Sequence, residues 1–169
     1  MSLIRRGVGT ASDGTPRLNV VAEGRFIVSD EIGCDWTRFQ QLVERAEVAR
    51  REHAPQDEMA FLLAALELIA GPIASDADQK HWLWLRDDPT VYSRVETAIV
   101  DAAHRLGYLG CELQRPDVAM WAADKGLTVV PEQEALFRIQ MSAAAPAGDD
   151  STIDSVSRQA QRSARPHAD

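Results

Sequence analysis

Four of the chain's eight prolines set its spacing. Pro55, Pro89, Pro116 and Pro131 each stand at the head of an apolar pattern of helical period, and Gly71 and Gly126 close two of those patterns. Proline cannot continue the helix before it, because it lacks an N–H and its ring meets the carbonyl four residues back. Its fixed φ nevertheless suits the first turn of the helix after it. A chain punctuated this way cannot make one long helix. In "AADKGLTVVPEQEALFRIQ" only four residues separate Gly126 from Pro131, so one helix must turn almost at once into the next. Helices joined so tightly pack antiparallel.

The patterns between the prolines predict the elements. In "DWTRFQQLVERAEVARRE" Asp35 is placed to cap a helix, and Phe39, Leu42, Val43, Ala46 and Ala49 fall on one face. "PQDEMAFLLAALELIAGP" carries acidic residues in its first turn, where the helix dipole favours them, and stops at Gly71-Pro72. It is apolar nearly all round, which predicts the most buried helix. Asp88 is placed to cap the helix that Pro89 opens, with Val91, Tyr92, Val95, Ile99, Ala102, Ala103 and Leu106 at helical spacing. Pro116 opens "PDVAMWAADKG", ended by Gly126. Pro131 opens the next helix, with Leu136, Ile139 and Phe137 inward. A last, weaker helix follows "PAGDD", capped by Asp150 or Ser151. Before all of these, residues 1–33 are rich in turn formers. Asp13-Gly14 and the short runs "RLNVV" and "RFIVS" predict a small β-hairpin. The expected organisation is therefore 1–33, a helical body over 34–165, and a frayed tail at 166–169. The fold class is all-α with a small N-terminal β-hairpin.

Chemistry is thin. His53, His81, His104 and His167 never form an i, i+4 pair or an H-E-x-x-H arrangement, and His104 reads as a half-exposed structural residue. The aspartates of "SDAD", "RDDP" and "GDDS" stand where caps and turns want them. "GVGTASDG" lacks the lysine and the strand–turn–helix setting of a phosphate loop. Cys34 and Cys111 match no metal or redox spacing and are expected to be reduced, packed thiols. The expectation is a non-enzymatic chain without cofactor or metal. A net charge of −8 argues against a grip on nucleic acid by this chain alone. No run approaches the roughly 18–20 apolar residues of a membrane helix. The N-terminus has no secretory layout, which makes the cytoplasm the expected location. Trp82 and Trp84 in "HWLWL" are the one candidate docking patch, although packing against an end of the core is the simpler reading.

Self-similarity points the same way. Gly107, Ala119 and Pro131 fall at twelve-residue intervals and match the small, small and proline positions of a tetratricopeptide unit of about 34 residues. The first two are expected where paired helices touch, the third where one hairpin gives way to the next. The body is thus expected to be a tetratricopeptide-like stack of antiparallel hairpins. From residue 35 onward the chain also resembles the bacterial transcriptional activator domain of the SARP-type actinobacterial regulators. Three stretches carry the resemblance: "CDWTRFQQLVERA", "ALELIAGPI" and "GLTVVPEQEALFRIQM". Asp35 and Phe39, Ala65 to Ile73, and Leu127, Pro131, Glu134, Leu136 and Met141 occupy the family's positions in them.

That resemblance implies a regulatory module mediating dimerisation or contact with transcription machinery. Residues 1–33 would then be the end of an upstream winged-helix domain, through which alone DNA would be bound, and the chain a piece of a larger regulator. An adaptor binding a partner protein or peptide outside transcription is the other reading. The final helix is poorer in apolar residues than the family pattern, so thin packing is expected there.

Overall fold

The computed structural model describes residues 9–20, 26–29, 33–72, 89–145 and 150–163. The chain divides into two compact units, Met1–Arg38 and Phe39–Asp169. In the first, strands β1 (Leu18–Val20) and β2 (Phe26–Val28) pair antiparallel, Leu18 opposite Val28 and Val20 opposite Phe26. The preceding turn is held by Asp13, whose carboxylate accepts from the Thr15 amide at 2.9 Å and its hydroxyl at 2.6 Å. Gly14 sits beside it at φ 82°, in the left-handed region that glycine enters without steric cost.

Six helices follow among the described residues: α1 (Asp35–Arg51), α2 (Pro55–Glu67), α3 (Pro89–Glu112), α4 (Pro116–Val129), α5 (Glu134–Ala144) and α6 (Asp150–Ser163). The cap of α1 lies one residue earlier than expected. Arg38 donates its amide to the Cys34 carbonyl at 2.9 Å, so Cys34 is the cap and Asp35 the first helical residue, still favourably placed against the dipole. Phe39, Ala46 and Ala49 are buried as the periodicity requires, with Leu42 and Val43 half-buried.

Two of the joints share one geometry. At the end of α1 the Ala54 amide reaches back to the Ala49 carbonyl at 2.9 Å and the His53 amide to Arg50 at 3.2 Å. At the end of α3 the Arg115 amide reaches Gly110 at 2.7 Å and the Gln114 amide Cys111 at 3.2 Å. This is the paired 6→1 and 5→2 pattern of a Schellman end, and it needs a left-handed residue. His53 and Gln114 supply it, each at φ 57°. Two residues later Pro55 or Pro116 starts the next helix, where its missing N–H costs nothing. A non-glycine residue there carries a left-handed penalty of about 1–2 kcal/mol, partly offset by the extra entropy glycine would bring to the unfolded chain. Gln114→Gly is therefore expected to stabilise by about 0.5–1 kcal/mol, read as an upward shift of the urea midpoint at constant slope.

The joint at Pro131 is built differently from the expected one. Helix α4 does not stop at Gly126 but runs through it to Val129. Residues Val130 to Gln133 then form a tight turn closed by the Gln133 amide on the Val130 carbonyl at 3.2 Å, and α5 begins only at Glu134. Pro131 is the second residue of that turn rather than the first of a helix. Both places ask for φ near −65°, so the sequence alone does not separate them.

Helix α3 is the centre of the stack, packed against α2, α4 and α5, while α5 also packs on α4 and α6. Leu66, Leu106 and Leu136, from α2, α3 and α5, are fully buried. Helix α2 is not the most buried, since half of α4 and more than half of α5 are buried. Val118, Ala119, Ala122, Ala123, Gly126, Leu127 and Val129 are all buried, whereas α2 leaves Ala60 and Glu67 exposed and Phe61 half-buried. Small side chains let α4 sit closer to its neighbours than the longer residues of α2 allow. At α6 only Val156 is buried, which agrees with the thin packing expected of it.

Candidate interaction surface

Three sides of α3 are occupied. A Cβ on Gly107 would fall 2.7 Å from Ile139 Cγ2, so that glycine faces α5. A Cβ on Gly110 would fall 2.9 Å from the Ala119 amide nitrogen, so Gly110 faces the backbone of α4. Arg105 faces α2, with its Nε 2.5 Å from Glu58 Oε1 and its Nη2 3.0 Å from Oε2. The remaining side carries Thr97, Asp101, Tyr108 and Glu112, all exposed, with His104 half-buried among them. Tyr108 is 51% exposed, unusual for a large aromatic, and meets His104 edge to face at a centroid distance of 4.7 Å.

The Glu58–Arg105 pair is lopsided. The Glu58 side chain is 3% exposed and that of Arg105 39%, so a buried carboxylate is neutralised from the edge of the interface. The hydrogen bond and charge of Glu58 hold the guanidinium above even its usual range. Sequence reasoning credited Glu58 only with favouring the helix dipole. The missed signal was its place on the stripe of Leu62, Ala65 and Leu66, where a charge requires a partner.

A second polar link joins α4 to α5. Buried Gln140 donates from Nε2 to Asp124 Oδ1 at 2.6 Å, while its Oε1 has no partner among the described residues. Packing around Asp124 pushes its carboxyl up, and the Gln140 hydrogen bond opposes this less strongly. A raised folded-state pKa favours the neutral form on folding. That contribution is complete below the unfolded value near 3.8 and is lost as pH rises through the folded one. Asp124→Asn, which keeps an acceptor for Gln140 without the charge, is expected to melt higher than the parent at pH 7. The advantage should vanish as the pH approaches 4, about the unfolded carboxyl pKa.

Lys125 braces α4 to the residues after α2. Its Nζ donates to the Ile69 carbonyl at 2.7 Å and lies 5.5 Å from the Trp121 ring centroid.

With a stacked helical body and no grouping of metal-ligating side chains among the described residues, comparison with known proteins decides the class. A match to the bacterial transcriptional activator domain covers residues 34–153. The chain belongs to this family. Neither the curated proteins nor the solved structures give a match. The family is one of transcriptional activator domains, regulatory and not enzymatic.

The activator domain places the positions singled out in its sequence as follows. Gly107 and Ala119 have different nearest neighbours. Ala119 meets Gly110, and Gly107 receives Ile139 from the following hairpin. Gly110 is the glycine that lets α3 and α4 approach. Pro131 is exposed in the turn before α5. Trp82, Trp84 and His81 lie outside the described residues. Trp36 and Trp121 are half-buried. Cys34 is exposed, not packed, because it caps α1 from outside the core, and the Thr37 amide lowers its thiol pKa. Cys111 is half-buried, and burial pushes its thiol up. Among the described residues no helix is long and apolar enough to cross a membrane.

Proposed function

We propose that this activator domain is the protein-interaction module of a bacterial transcriptional regulator, acting by self-association or by contact with the transcription machinery. The observation that carries the reading is the family match over a stack of helical hairpins whose central helix has one side exposed among the described residues. Stacked hairpins bury their core between neighbours and keep an outer face for a partner. Residues 1–33 are proposed to be the end of an upstream winged-helix DNA-binding domain, with β1 and β2 as its wing hairpin. DNA contact belongs to that domain, since a net charge of −8 leaves this chain without a basic footprint.

The test has two parts. Light scattering across a concentration series reads self-association. Fusion of the chain to an unrelated DNA-binding domain, with transcription measured from a promoter carrying that domain's operator, reads contact with the transcription machinery. A concentration-dependent dimer or an activated promoter supports the proposal. A monomer throughout together with a silent promoter overturns it.

A further inference from the structure

Resting on that reading, we infer that the uncovered side of α3 docks a basic segment of a partner protein, taking an arginine side chain across the Tyr108 ring. Asp101, His104, Tyr108 and Glu112 follow one another at three- and four-residue steps, so they form one stripe on the helix. Tyr108 is the largest exposed aromatic among the described residues, and His104 against its edge holds the ring in place. Asp101 and Glu112 are exposed and take part in no ion pair among the described residues. The cation beside the stripe, Arg105, is hydrogen-bonded to the buried Glu58 carboxylate and acts on Glu112 through its charge alone, without an ion pair.

An exposed ring with a carboxylate on either side along the helix is complementary to a planar cation. The guanidinium stacks on the ring face with its N–H groups toward Glu112, one turn along, while Asp101, two turns the other way, attracts a further basic residue of the segment. The chain's net charge of −8 favours approach of such a segment. A purely apolar partner would leave two carboxylates facing it, and an acidic one would be repelled.

The probe is a blocked nonapeptide of three Arg-Ala-Ala repeats, titrated into the isotopically labelled chain while amide and tyrosine ring signals are followed by NMR. Shifts are expected along 97–112, weakened about fivefold to tenfold in affinity by Tyr108→Ala and by Asp101→Asn with Glu112→Gln, and retained in Tyr108→Phe. These side chains are exposed, so the variants should melt as the parent does.

Shifts spread over other helices, or equal binding by all variants, would overturn the assignment. So would no binding at millimolar peptide. Loss of a dimer in Tyr108→Ala would instead make the stripe a contact between copies and would equally overturn it. Failure of the peptide to bind, with the promoter fusion still active, removes this partner class and leaves the interaction-module reading standing. A silent promoter with a monomeric chain removes that reading itself.

Discussion

Arg105→Met is expected to lower the stability of the helical unit by about 3 kcal/mol, the lower end of what removing one partner of a buried ion pair costs. The substitution takes away both hydrogen bonds to Glu58 and leaves a carboxylate that is 3% exposed without a counter-charge. The partial exposure of Arg105 sets the estimate at the lower end, because water can follow the vacated side chain part of the way in. The loss comes from the orphaned charge and not from a missing attraction, and this can be tested directly. Glu58→Met in the same chain should restore most of the stability, since a pair of packed apolar side chains avoids the desolvation of both ions. Urea denaturation of both single variants and the double variant closes the cycle. A double variant no more stable than Arg105→Met would show that the guanidinium matters for some other reason.

Gly110→Ala is the second large effect. Alanine in a helix is ordinarily better than glycine by about 1 kcal/mol. Here the added methyl would meet the Ala119 amide nitrogen at 2.9 Å and its Cα at 3.1 Å, atoms of a backbone that cannot rotate away. Helices α3 and α4 must separate, at an overpacking cost of about 1–3 kcal/mol that erases the propensity gain. A net loss of about 1–2 kcal/mol is expected, and Gly110→Val should exceed it. Gly107→Ala is the control. Its methyl meets Ile139 Cγ2 at 2.7 Å and Cδ1 at 2.9 Å, a side chain stiff at χ1 yet easier to displace than a backbone, so a smaller loss than at Gly110 is expected. Thermal midpoints of the three variants decide the order, and equal losses at 107 and 110 would contradict it.

The helices themselves were legible because their signals are local. Pro55 and Pro116 announce first turns, and the stripes ending at Ala49 and Leu106 announce buried faces, each within a few residues of sequence. What failed depends on a partner far along the chain. Gly126 reads as a stop, yet it is internal to α4 because a Cβ there would collide with the Leu136 side chain and lie 2.9 Å from Ala103 Cβ. Gly107 and Gly110 are equivalent on paper, and only the packing assigns one to α5 and the other to α4. Pro131 satisfies a turn and a helix start equally well. For the candidate surface, the α3 pattern shows that Tyr108 is off the apolar stripe of Ile99, Ala103 and Leu106. That Tyr108 is exposed, and that Arg105 is engaged by Glu58, needed the fold.

The single buried anchor of α6 has a consequence for how the molecule breathes. Val156 is the one buried residue of that helix among those described, with Ile153 and Ala160 half-buried, whereas α3 to α5 interlock through several fully buried residues. Opening free energies in a protein follow such differences in buried contact, and weakly held elements detach without global unfolding. Amide protons of α6 should therefore exchange in a separate, earlier step than those of α3 and α4. The surface of α5 beneath would be uncovered briefly in each such opening, so the stack has a fluctuating end and a rigid middle.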